Sequence, residues 1–191
     1  IVFDARWGRT GETYGEDPYL ASELVRQAVS GYQDHENPLD RVATSVKHLC
    51  GGGASVGGIN HASADISERS VRNFILPPFK AAIEAAYTEG ESKLKGNSKS
   101  VPPLTSIKTP LRDGDVERPD DPAYANAYFI NANSATAPGI VDADLNSVLT
   151  RSEVYSGVYG RASITLYAFN SNGNRGIACG LNNLQLIRAG E

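Results

Sequence analysis

The stretch ASITLYAFNSNGNRGIACGL, residues 162–181, carries the clearest structural signal in the chain. Its first eight residues alternate. Ile164, Leu166 and Ala168 fall on one face; Ser163, Thr165, Tyr167 and Phe169 fall on the other. A period of two with β-branched and aromatic residues reads as a half-buried strand. NSNGNRG then supplies an Asn-Gly turn, and IACGL reads as the returning strand. Residues 162–181 are therefore predicted to form a β-hairpin, and aromatic and β-branched residues dominate from Tyr124 onward.

Upstream the texture is different. Pro18 sits where a helix would begin, since its missing N–H costs nothing in a first turn. Leu20, Leu24, Val25, Ala28, Val29 and Tyr32 follow at helical spacing, and Gly31 is read as the end. RVATSVKHL, residues 41–49, reads as a short buried strand, followed by the glycine-rich loop CGGGASVGG. Asp65 and Glu68 resemble a capping box opening a second helix. That helix would carry Val71, Ile75, Phe79 and Ile83 toward a core, with a kink or restart at Pro77 and Pro78 and a close at Gly90. Polar, turn-rich sequence links it to the β region. The expected class is α+β: a partial (β/α) barrel-like segment, then a mostly β, OB-like one.

The chain has 191 residues and a net charge of −4, ordinary globular values without the basic excess of a dedicated nucleic-acid binder. A local basic groove is compatible with that sum, because placement matters more than the total. No apolar run reaches the ~18 residues of a membrane span, so no membrane partner is expected. Ile1 as the first residue, with no Met in the chain, reads as a processed, trimmed or fragmentary start. Cys50 and Cys179 lack any metal-ligand spacing and read as reduced, partly buried thiols. No cofactor or metal is expected, and the compartment is not fixed.

Four segments carry a first resemblance: DARWGRTGETYGEDPYL (4–20), VATSVKHL (42–49), GGINHASADISER (57–69) and LPPFKAAIEA (76–85). In this order and spacing they resemble family 3 glycoside hydrolases, the β-glucosidase and β-xylosidase group. The resemblance implies a piece of a barrel and a β-linked glycoside or oligosaccharide as partner. It assigns sugar contact to Arg9, Lys47 and His48, with Glu12 orienting Arg9. Such fixed cations and an imidazole suit the fan of hydroxyls on a sugar. A retaining glycosidase also needs two carboxyls about 5–5.5 Å apart. The family's strand-end nucleophile motif, typically like SDW, is missing, and catalytic residues stay unidentified. Ile59 stands where an arginine is common, and His61 beside Asn60 replaces an Asp–His pair, so His61 is read as structural.

IEAAYTEGESKLKGN (83–97), residues 108–134, PGIVDADLN (138–146) and residues 152–191 carry a second resemblance. They are similar to small phage proteins thought to bind single-stranded DNA through an OB-like barrel. The family's opening strands are replaced by the glycosidase-like sequence. Tyr155, Tyr159, Tyr167 and Phe169 are the candidate stacking residues; Lys108, Arg112, Arg161 and Arg175 are the candidate phosphate contacts. Asp113, Asp115, Glu117, Asp120 and Asp121 read as a solvated loop rather than a cation site. KAAIEAA suits either parent and marks the junction, giving segments 1–84 and 85–191 with the boundary between 80 and 95. Three functions follow: a β-glycoside-acting or -binding protein, a single-strand-binding module, or a chimera with neither activity. Incomplete barrels leave open strand edges, so a homo-oligomer is expected.

Overall fold

A computed structural model describes residues 1–34, 42, 44–60, 62, 64–148 and 150–190; the side chains of residues 45, 48, 49 and 151 lie outside that description. The long hairpin sits at its centre. Strand β5 (Tyr159–Ser171) runs antiparallel to β6 (Asn174–Arg188) through a two-residue turn at Asn172 and Gly173. Both turn residues have positive φ, 50° and 79°, the geometry that matches the right-handed strand twist and that Asn-Gly supplies cheaply. β6 is far longer than the five residues IACGL suggested, because its pairing continues to Arg188.

Each flank of the hairpin is then filled differently. Strand β1 (Ser45–Leu49) adds antiparallel to β5, with Val46 opposite Ile164. On the far side of β6, three short pieces pair parallel in succession: Lys108 at Gly176, Asn133 at Gly180, and β4 (Gly139–Val141) along residues 183–185. The sheet order is β1-β5-β6-β4. A second, two-stranded sheet joins β2 (Leu111–Asp113) to β3 (Tyr128–Ile130). Content is mixed helix and strand, as α+β requires.

β1 is thus an edge strand rather than a buried one, and Lys47 on it is exposed. The reading of RVATSVKHL as a buried strand is corrected on that point: the β-branched residues that mark a strand do not tell whether it lies inside a sheet or at its rim.

Helix α1 (Pro18–Gln33) is capped by Asp17, whose carboxylate accepts from the Leu20 N–H. It runs two residues beyond Gly31, so that glycine does not end it. Its stripe also divides: Ala21 and Val29 are buried, whereas Leu20, Leu24 and Tyr32 are 50%, 40% and 56% exposed. Among the described elements α1 packs mainly against α3 (Leu76–Glu89), with a smaller contact to residues 71–75, and these cover only part of a wide apolar face. Ser67, not Asp65, caps α2 (Glu68–Ser70) by accepting from the Ser70 N–H. A π turn, Val71–Ile75, follows and leads into α3. Pro77 and Pro78 lie in the first turn of α3, where neither needs an N–H donor, so the prolines coincide with the restart.

The core draws on both ends of the chain. Ala82, Ile83 and Ala86 of α3 and Leu94 of α4 (Glu91–Lys95) pack on Ile164, Leu166, Ala168, Ile177 and Cys179 of the hairpin, with Val25 and Val46 against them. Small residues let α3 lie close to the sheet. At its end, a Cβ on Gly90 would stand 2.2 Å from that of Ala168, so glycine is required there for contact rather than for φ. Arg72 ties the π turn to the small sheet: it bonds Glu68, donates to the Tyr128 hydroxyl and lies 4.5 Å from that ring's centroid.

Candidate functional site

Strand alternation places Tyr159, Arg161, Ser163, Thr165, Tyr167 and Phe169 on the face of β5 opposite the core. The middle of that face is polar: the Asn182 amide donates to Thr165 Oγ1 at 2.9 Å. Toward the turn it becomes aromatic. Tyr167 is 46% exposed, and it lines an open groove of about 600 Å³ with Phe169, Lys108, Arg112, Asn131 and Asn133. Lys108 is held there by the backbone: its N–H donates to Arg175 O, and its carbonyl accepts from Ile177 N. Arg112 pairs with Glu117 and lies 5.2 Å from the Phe129 centroid, which fixes its guanidinium beside the groove. Two aromatic rings flanked by cations and amides can stack on bases and hold phosphates. Asn131 and Asn133 escaped sequence reading, since only the Asn133–Gly180 bridge brings that segment to the hairpin.

The other predicted aromatics lie elsewhere. Tyr159, at the start of β5, is 48% exposed and is covered by the Arg188 guanidinium at 3.7 Å. Tyr155 is 44% exposed, and its hydroxyl accepts from the Gly190 N–H. Arg188 was not anticipated. Counting outward from the turn places Leu186 opposite Tyr159, but bulges in β6 shift the register and bring Arg188 there.

Arg161 turns toward the glycine-rich loop that follows β1. Its Nη1 lies 3.4 Å from Asn60 Oδ1, and Gly52 packs on its guanidinium. The same Asn60 oxygen accepts from Trp7 Nε1 at 3.1 Å. Burial lowers the Arg161 pKa from its usual value, and the nearby charge of Arg9 lowers it further. Arg161 is therefore apart from the Tyr167 groove and close to the first segment's cations.

Those cations form a compact cluster. Arg9 and Glu12 make a two-point ion pair, Nε–Oε1 at 2.9 Å and Nη2–Oε2 at 2.6 Å, which raises the Arg9 pKa. Lys47 Nζ is 3.9 Å from the same carboxylate, and Arg9 lies 5.8 Å from the Trp7 ring centroid. Arg9, Glu12 and Lys47 line a cavity of about 110 Å³ with Gly51, Gly52 and Gly53. Glu12 and Lys47 also edge a larger, mostly apolar cleft of about 560 Å³ between α1, β1 and α3. Among the described residues, Glu12 is the sole carboxylate lining either. The side chain of His48 and all of His61 lie outside the described residues.

The acidic stretch is solvated, with residues 115–120 all exposed, but it is locally ordered rather than a plain loop. Asp113 and Asp121 cap short helices, Asp115 accepts from Asn126 N, and Glu117 pairs with Arg112. Among the described residues, no group of three or more His, Cys, Asp or Glu side chains is arranged to hold a metal ion. No described helix is long and apolar enough to cross a membrane. Both cysteines are free; Cys179 is buried, and Cys50 is exposed as a residue while its thiol is desolvated enough to raise its pKa.

Comparison with known proteins finds two families. Residues 70–191 match the model described as Enterobacter phage Enc34, ssDNA-binding protein, and residues 1–89 match that of the glycosyl hydrolase family 3 N terminal domain. The matches overlap over residues 70–89, the π turn and α3. A putative beta-xylosidase of Formosa agariphila is 39% identical over 93 residues, 47% of this chain and 12% of that protein. The periplasmic beta-glucosidase of Salmonella typhimurium is 38% identical over 112 residues, 58% of this chain and 14% of that protein. The chain thus spans 12–14% of the length of these relatives. The single-stranded DNA-binding protein from bacteriophage Enc34 in complex with ssDNA is 17% identical, covering 61% of this chain and 68% of its own, at a TM-score of 0.46. The beta-glucosidase from Listeria innocua in complex with isofagomine is 41% identical over 44% of this chain and 12% of its own, at a TM-score of 0.42.

Proposed function

We propose that this chain, which belongs over residues 70–191 to the Enterobacter phage Enc34 ssDNA-binding protein family, binds single-stranded DNA along the outer face of its hairpin. The observation that carries this is the groove in which Tyr167 and Phe169 meet Lys108 and Arg112. An exposed phenol ring beside cations does nothing for the core, which lies on the opposite face of the strand. It is well placed to stack on a base. Tyr159 under Arg188, and Tyr155 nearby, offer a second stacking position toward the far end of β5. Fluorescence anisotropy with oligo-dT tests the reading. Alanine substitution of one stacking residue costs about 1–3 kcal/mol. Tyr167→Ala is therefore expected to weaken binding by roughly 5- to 150-fold. Wild-type protein that fails to bind oligo-dT at low salt refutes it.

A second reading has its own observation: Glu12 and Lys47 at the mouth of the 560 Å³ cleft suit the hydroxyls of a β-linked glycoside. Among the described residues Glu12 is the one carboxylate lining that cleft, so these residues alone suit binding rather than turnover. Release of nitrophenol from an aryl β-glucoside, lost on Lys47→Ala, would instead establish catalysis. The open edge of β1 and the exposed stripe of α1 also favour self-association. A monodisperse monomer in solution scattering would argue against it.

A further inference from the structure

We infer that Arg9, Lys47 and Arg161 together form a phosphate-binding station that extends the single-strand path onto the glycosidase-like segment. The inference rests on the single-strand reading above. It joins residues from both parent segments into a site that neither segment holds alone.

Three observations carry it. First, Arg161 stands on the same face of β5 as Tyr167, six residues away, which is about 20 Å along a strand. A strand stacked on Tyr167 that follows β5 toward Tyr159 passes Ser163 and Thr165 and meets Arg161 next. Second, Arg161 is linked to the first segment's cations. Its guanidinium shares Asn60 Oδ1 with Trp7, and Arg9 lies over the Trp7 ring. The Arg9 charge is close enough to oppose the charge on Arg161, which an intervening anion would relieve. The named groups are three cations and a single carboxylate, Glu12. Third, the cavity that Arg9 lines with Lys47 and the glycines is small. At about 110 Å³ it lies well below the ~300 Å³ at which ligand pockets begin, yet it equals the volume of roughly three to four waters. That is room for a phosphate group and not for a sugar ring. Lys47 and Glu12 are each 51% exposed, so the cluster is open to a ligand from solution.

Salt dependence tests this directly, using the full chain and oligo-dT. Each phosphate contact on a single strand contributes about 0.7 to the slope of log K against log salt. Lys47→Ala is expected to lower that slope by about 0.7, weakening binding about 5-fold at 0.1 M salt relative to 1 M. Glu12→Gln removes the competing carboxylate but keeps a hydrogen-bond acceptor for Arg9, so it is expected to tighten binding. A purely structural Glu12 would give the opposite sign. Trp7, the chain's single tryptophan, reports from the same place, and its emission is expected to change as oligo-dT binds. An unchanged slope in Lys47→Ala, with silent Trp7 emission, overturns the station. If Tyr167→Ala still weakens binding in that case, the groove reading survives. If wild-type protein shows no binding at all, both fall together.

Discussion

Replacing Ile164 by alanine tests whether the two family-like segments share one folding unit. Ile164 is 1% exposed, belongs to the cluster with Ala82, Ile83 and Ala86, and faces Val46 across the β1–β5 pair. The substitution deletes three carbons. At about 0.8 kcal/mol for each buried methylene the transfer loss is roughly 2.4 kcal/mol, and the remaining cavity raises it to about 3–4 kcal/mol. With a urea dependence of about 2 kcal/mol/M, the unfolding midpoint falls by about 1.5–2 M. Two probes follow the transition: far-UV ellipticity for the whole chain, and emission of Trp7, which lies in the glycosidase-like segment. Ile164 belongs to the other segment. The expected result is coincident transitions that shift equally, because one core unfolds as one unit. A Trp7 transition that stays in place while the ellipticity moves would refute the reasoning and make residues 1–84 and 85–191 independent.

Further outcomes follow from local packing. Gly90→Ala is expected to cost about 1–3 kcal/mol by forcing a methyl onto Ala168, lowering Tm by several degrees in a thermal melt. Gly11→Ala, with nothing within 4 Å of its added carbon, should leave Tm nearly unchanged. At pH 8 an aromatic disulfide reagent should react with Cys50 first, slowed because burial of its thiol raises that pKa, and with Cys179 only after unfolding, because burial raises that thiol to about 11. The raised value also gives a sign for stability. The Cys179 contribution is complete below about pH 8.5, where the unfolded thiol is neutral, and declines as pH climbs toward 11, so the urea midpoint should fall over that window.

The hairpin was legible because its pattern is local. Alternation from Ser163 to Phe169 gives the faces of β5, and Asn172-Gly173 gives the turn. The α1 start was legible too, since Asp17 and Pro18 act within one turn. Register beyond the turn was not, because the β6 bulges are set by what packs on the strand, and so the Tyr159–Arg188 contact could not be counted out. Asp65 offered the right capping spacing, but Ser67 sits where the chain actually turns into the helix. The cations divide on the same principle. Arg9 and Glu12 are three residues apart and pair locally, whereas Arg161 reaches Asn60 across 101 positions. The two family matches overlap on α3, where Ala81, Ala82, Ala85 and Ala86 are all buried and Ala82 and Ala86 pack on the hairpin.

The pairing of β1 with β5 says something about how such a chain can arise. At that rim β5 asks little of its neighbour: a few extended residues, a register that tolerates a shift between Val46 and Leu49, and, among the described side chains, an apolar one where Val46 meets Ile164. A great many sequences satisfy so loose a specification. A segment from an unrelated family can therefore dock at the edge while the hairpin keeps its own interior contacts. The rim works as a standard fitting, and rearranged genes that supply any compatible strand start from a foldable protein.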